Sequence, residues 1–208
     1  LYASASFIHG SRLGILLAVL KVAGGPLGWF AIGFIELFRG IPALLTIFAF
    51  AFVVPIAFNV QVPGGAVGAG ILGLTVVTGA YTAEIIRSGI EAVSPGQREA
   101  ARSLGLSHAA TLRRVILPQC VRRMVPPLTG EAVSLVKESS LLSVIGVAEL
   151  TFHAKDLGAA TYDYFAAYLP LAALYLCVTL PLSFLSRRLE ARLGAHPSHG
   201  APIPVARL

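Results

Sequence analysis

Charge is what this chain has little of. Lysine, arginine, aspartate and glutamate together make 12% of its 208 residues, where soluble domains carry about a quarter. So few charges cannot cover a water-facing globule. Apolar residues reach 56% and the mean hydropathy is +0.79, which predicts an all-α protein that crosses a membrane several times. Cysteine is nearly absent, and Cys120 in a basic stretch and Cys177 in an apolar run indicate neither a disulfide framework nor a metal site. No G-x-x-x-x-G-K-[ST] loop occurs, so no ATP site of that kind is built here. The lack of two repeated halves speaks against a secondary transporter. Acidic residues are fewer than basic ones, 10 against 16, for a net charge of +6. Nucleic acid is a poor explanation, because no basic motif is interleaved with aromatics and the cations flank apolar spans, as membrane topology requires. The chain opens at Leu1 with neither methionine nor a signal-peptide pattern, and is read as lacking its true start.

What is present is a polar, basic island over residues 94–118, SPGQREAARSLGLSHAATLRRVILP. Ser94 is placed to cap a helix that begins at Pro95, with Gln97 reaching back as in a capping box, and Gly105 to end it in a left-handed turn. Ser107 is placed to cap a second short helix, which Pro118 is expected to stop. The first helix groups Ala100, Ala101 and Leu104, and the second sets Leu112, Val115 and Ile116 opposite Arg113 and Arg114. At about 11 residues and 1.5 Å each, neither can span a bilayer. Such a knob at a membrane face is shaped to dock, although a solvated basic loop would share its composition.

Around the island the chain divides into five expected crossings. The first, about Leu1 to Val22, is interrupted by His9, Ser11 and Arg12, and the cost of an arginine in lipid requires Arg12 to face other helices or the span to be displaced. Gly24 to Phe38, with Trp29, Phe30 and Phe34, suits a bend and an interfacial helix. Ile41 to Phe58 and Val67 to Ile86 are the second and third spans. The third contains Gly68, Gly70 and Gly73 in a G-x-G-x-x-G pattern, read as close helix packing and not as a dinucleotide site, because it lies inside an apolar helix. Val125 to Leu150 is the fourth, with Glu131, Ser134 and Glu138 on one face beside Lys137. A short polar connection over Thr151 to Asp163 leads to the fifth, Tyr164 to Ser186. A transmembrane domain over 1–192 is followed by a tail expected to be disordered, 193–208, where His196 and His199 have no third ligand for a metal. Thirteen lysines and arginines then fall on one side against Lys155 on the other. The positive-inside rule therefore puts the island and the tail in the cytoplasm and the start of the chain outside.

The island resembles the signature loop of the membrane subunits of ABC importers, Glu-Ala-Ala, three residues, Gly, nine residues, then Ile-x-Leu-Pro. Glu99, Ala100, Ala101, Gly105, Leu117 and Pro118 stand at that spacing, with Val115 for the isoleucine. The likeness runs from about Glu36 to Glu190 and is similar to the polar amino-acid permeases in four stretches: 36–45 (ELFRGIPALL), 80–90 (AYTAEIIRSGI), 96–101 (GQREAA) and 137–150 (KESSLLSVIGVAEL). The start before Gly14 and the acidic Glu131 depart from that pattern. The resemblance implies a type I importer fold in a bacterial inner membrane. It also implies two permease subunits, identical or paired with a relative, on two ATPase subunits, fed by an extracytoplasmic solute-binding protein. The chain is then a transporter subunit and not an enzyme; it binds no cofactor, and ATP with magnesium belongs to the partner ATPase.

On this reading Gly96, Glu99, Ala100, Ala101, Gly105, Leu117 and Pro118 dock and couple to the ATPase: the alanines allow close approach, Gly105 sets the angle and Glu99 offers a carboxylate. Capping and packing of their own helices is the plainer alternative. Glu84, Glu131, Lys137 and Glu138 are candidates for the translocation pathway. Glu84 either pairs locally with Arg87 or meets Lys137, and the other three either line a polar route for an amino acid or form a network between helices. A permease for an opine or osmolyte remains the nearest rival. A channel would not need the island, and a membrane hydrolase would need a nucleophile and base in one pocket that this sequence does not bring together.

Overall fold

The computed structural model describes residues 1–193. The tail expected over 193–208, with His196 and His199, lies outside the described residues except for Leu193, which closes the last helix. The described residues are almost wholly helical, without a strand.

At the centre stands α5, Gly65–Glu91, against which α1 (Tyr2–Ala23), α2 (Gly25–Gly40), α3 (Ala43–Phe48) and α8 (Leu117–Glu138) all pack. The contact with α1 runs the length of both helices because α1 offers small residues every four positions, Ser6, Gly10, Gly14 and Ala18, all buried. A Cβ on Gly10 would lie 2.7 Å from Thr78 Cβ, and one on Gly14 2.5 Å from Thr82 Cβ. Backbone approaches backbone there. The polar residues that interrupt this segment do not break its helix: His9 Nδ1 donates to the Ala5 carbonyl oxygen at 2.8 Å. Arg12 turns outward from the bundle, so among the described residues it faces no other helix. Two glycines of the pattern on α5 pack as expected, Gly70 against Leu142 and Gly73 against Ile47, whereas Gly68 lies against the backbone of Pro63 in the turn before the helix.

Gly24 and Gly25, at φ 72° and 67°, let the chain reverse from α1 into α2. There Gly28, Ala31 and Ile35 are buried while Leu27, Trp29 and Phe30 stay exposed, so the helix expected after the bend forms with these large apolar side chains outward. Ile41 and Pro42 are extended, and the chain bends by 110° into α3. A wider π turn, Ala49–Val53, carries α3 into α4, Val54–Phe58.

Beyond α5 come the island helices α6 (Pro95–Ser103) and α7 (His108–Thr111), then α8, α9 (Leu150–Thr161) and α10 (Tyr164–Leu193). Four expectations need correction. Pro118 does not stop a helix: a π turn, Leu112–Ile116, runs straight into α8, Leu117 N–H bonding to Leu112 O. The proline then stands in the first helical turn, where its missing N–H costs nothing. The fourth segment begins at Leu117 and not at Val125, tightens to a 3-10 turn over Ser139–Ile145, and breaks at Gly146 with φ 83°. The connection after it is a helix, because the Glu149 carboxylate accepts from Phe152 N at 2.8 Å and Thr151 N at 2.9 Å and so caps α9. Finally, α10 continues past Ser186 to Leu193.

Helices α1, α5 and α10 are long and apolar enough to cross a bilayer, and α2 with α3–α4 counts as a fourth if the bent pair is one span. Helix α8 is as long as α1, 22 residues, but Arg122, Arg123, Glu131, Lys137 and Glu138 keep it out of that class. It lies instead against α5 and α10.

Candidate functional site

Helix α6 ends in the expected left-handed turn. Gly105, at φ 79°, donates to Arg102 O at 2.9 Å and Leu106 N donates to Ala101 O at 3.2 Å, the paired bonds of a Schellman motif. Ser107 Oγ accepts from Ala110 N at 3.3 Å and caps α7 as expected. The capping box at Ser94 does not form. Gln97 N donates to the Ser94 backbone oxygen at 3.0 Å, and the Gln97 side chain turns to Gln119 (3.5 Å).

A small core holds the island to the end of α5: Val93, Ile116 and Cys120 are buried together, Met124 lies against Gly89, and the Arg123 guanidinium donates to the Ala92 carbonyl oxygen. The two alanines divide. Ala101 is buried in the island's own hairpin, whereas Gly96, Glu99, Ala100 and Gly105 are exposed. Leu104, the residue that caps α6, is 82% exposed, a bare apolar side chain one turn from Ala100. Its place with the alanines was legible, but its bareness depended on which side the hairpin buried. Leu117 and Pro118 lie at the base of the knob, both exposed.

Two turns back from the end of α5, Glu84 gathers three cations from three helices. Arg87 Nε donates to Glu84 Oε2 at 2.9 Å, Arg39 Nη1 of α2 stands 3.6 Å away and Lys21 Nζ of α1 3.9 Å away. Arg87 also pairs with Glu91 one turn further on. The expected local pair with Arg87 is therefore present, while the alternative with Lys137 is not: Lys137 is exposed and pairs with no carboxylate among the described residues.

Arg39 has a second side. With its guanidinium carbon 5.9 Å from the Tyr81 ring centre, it lines a cavity of about 300 Å³ together with Gly40 to Ala43, Val77, Tyr81 and Glu138. Arg39 Nε and Glu138 Oε2 are both buried without a hydrogen-bond partner. Both residues line the one cavity, while these two atoms are themselves covered from it. Glu131 is on the same face of α8 but two turns away, about 10 Å at 1.5 Å per residue, and does not line the cavity. Of the four pathway candidates, the structure brings Glu138 to the cavity and Glu84 to the Arg39 that lines it. Sequence reasoning passed over Arg39 because the bend after Gly40, which turns it inward, is a property of the folded chain.

Next to Val77 on α5, Leu74 packs with Ile47, Leu142 and Ile145 in a dry cluster. Beyond it, at the N-terminal end of α5, lies a hollow of about 590 Å³ walled by Phe52, Pro55, Val60 and Ile145, with no charged residue in its lining.

Residues 10–195 match the family described as binding-protein-dependent transport system inner membrane component. The chain is 39% identical over 195 residues to the probable glutamine ABC transporter permease protein GlnM of Bacillus subtilis, covering 93% of this chain and 89% of that one. It is 37% identical over 202 residues to the glutamine transport system permease protein GlnP of Escherichia coli, covering 89% and 92%. A crystal structure of an amino acid ABC transporter with histidines superposes with a TM-score of 0.85 at 38% identity, covering 92% of this chain and 88% of the other.

Proposed function

The chain belongs to the family of binding-protein-dependent transport system inner membrane components, and on that premise we propose that it is the permease subunit of an ATP-driven importer of polar amino acids. The observation that carries this reading is that α5 joins a bare docking knob at one end to a two-charge cavity nearer its middle. Similarity to glutamine permeases supports the substrate class. A small zwitterion presents a carboxylate and an ammonium, and the cavity offers Arg39 and Glu138 to meet them.

The working assembly is two permease subunits, this chain with a copy or a close relative, on two ATPase subunits that hold ATP and magnesium, with a solute-binding protein on the outer side. The island and the end of α10 face the cytoplasm and the start of α1 faces outward, following the distribution of lysine and arginine. Ala100, with Leu104 beside it, supplies the apolar contact to the ATPase, and Glu99 a carboxylate for a basic group there. Gly96 and Gly105 shape the two ends of α6, and Ala101, Leu117 and Pro118 hold the knob on its stem. Glu84, Glu138 with its neighbour Lys137 and, two turns away on α8, Glu131 are the charged groups assigned to the pathway.

The test is reconstitution in proteoliposomes with the partner ATPase and binding protein, followed by uptake of labelled glutamine, glutamate, aspartate, arginine and histidine. Uptake of one or two that requires both ATP and the binding protein is the expected result. Uptake of none, with hydrolysis still stimulated by the binding protein, would move the substrate to another class.

A further inference from the structure

A series of contacts runs from the docking island to the cavity, through one backbone carbonyl and then through charged pairs. Arg123, at the island's base, holds the carbonyl of Ala92. One residue earlier Glu91 pairs with Arg87, Arg87 pairs with Glu84, and Glu84 draws Arg39. Arg39 then reaches the cavity, which Glu138 also lines.

Arg39 is held loosely for a residue so placed. Its nearest approach to Glu84 is 3.6 Å, longer than a hydrogen bond, and Glu84 is already engaged by Arg87 at 2.9 Å with Lys21 alongside. Arg39 Nε meanwhile is buried and has no partner. A guanidinium carries five donors in a planar fork and binds a carboxylate through two of them. A carboxylate in the cavity therefore offers Arg39 more than the shared edge of Glu84 does. Glu84 can release it, because Lys21 and Arg87 still neutralise that carboxylate.

We infer that Arg39 reports occupancy of the cavity to the coupling island: the α-carboxylate of a bound amino acid draws its guanidinium off Glu84, and the change passes through Arg87 and Glu91 to the end of α5. Glu138 holds the ammonium on the other wall. This rests on the importer reading above, and deepens it by naming the residue that distinguishes a filled cavity from an empty one. Arg39 acts here as both a substrate contact and one half of a switch with two alternative partners.

The experiment measures ATP hydrolysis by the complete reconstituted complex, with the binding protein and each of the five amino acids named above, for Arg39→Gln, Arg39→Lys, Glu84→Gln and the double variant Arg39→Gln/Glu84→Gln. Assembly is checked by size-exclusion chromatography. Stimulation by the loaded binding protein is expected to fall about tenfold or more in Arg39→Gln, within the ordinary size of a coupling between sites. Arg39→Lys keeps the charge without the fork and is expected to retain part of the stimulation. The double variant is expected to be no worse than Arg39→Gln alone, since both changes remove the same link. Wild-type stimulation in Arg39→Gln would overturn the inference while leaving the importer reading intact. If Arg39→Gln fails to assemble, wild-type stimulation in both Arg39→Lys and Glu84→Gln would overturn it equally. No stimulation of the unaltered complex by any of the five amino acids would overturn the amino-acid reading of the cavity, and the inference with it.

Discussion

Gly14 faces Thr82 so closely that any side chain there must push α1 off α5. Gly14→Leu is therefore expected to destabilise the subunit by about 1–3 kcal/mol or more, the range for overpacking a tight contact, seen as a lower thermal unfolding temperature in detergent. Gly33→Ala is its control. Position 33 lies in α2 with open space where a Cβ would stand, and exchanging glycine for alanine inside a helix is favourable by about 1 kcal/mol, so that variant should unfold no earlier than the parent. The small residues at 6, 10, 14 and 18 were open to view in the sequence, but His9 and Arg12 drew attention to the polar interruption and away from the four-residue repeat. Arg39 and Glu84 differ in kind. A residue's charge is legible, whereas its partner depends on how three helices meet: Lys21, Arg39 and Arg87 are far apart in the chain and converge only through the reversal at Gly24–Gly25 and the bend at Pro42.

Helix α9 shows what a single side chain does for an element. Glu149 supplies two acceptor oxygens to the first free N–H groups of α9, and Tyr175 of α10 approaches the same carboxylate at 3.5 Å. Glu149→Ala is expected to cost about 0.5–2 kcal/mol, as loss of a cap does, and hydrogen exchange should quicken at Thr151 and Phe152 more than in the rest of α9. Unchanged exchange at those two amides would show that the cap contributes nothing. Glutamate is not among the preferred capping residues, which is why this stretch reads as a connection. Pro118 misleads in the opposite direction: proline ends a helix that would need its N–H, but here the π turn before it restarts the hydrogen-bond register. The apolar runs of α1, α5 and α10 and the turn at Gly105 were legible because each follows from local chemistry. The polarity of α8 was also legible, but its tolerance within the bundle comes from the neighbours it packs against.

Across the whole molecule, α5 sets the order. The hollow near Ala69, the dry cluster at Leu74, the cavity at Val77 and Tyr81, the charge cluster at Glu84 and Arg87, and the island anchored on Val93 follow one another along it. On the proposed reading, motion imposed on the island reaches the cavity through one continuous helix, provided the angle between α6 and α7 is kept. Gly105 keeps that angle in a left-handed conformation, at φ 79°, which costs a residue with a side chain about 1–2 kcal/mol. The most direct test is to measure uptake and ATP hydrolysis together in proteoliposomes carrying Gly105→Asp. The subunit should still insert and hydrolysis should continue, while uptake per ATP falls about tenfold or more. Uptake equal to the parent's would contradict the assignment of the island to coupling.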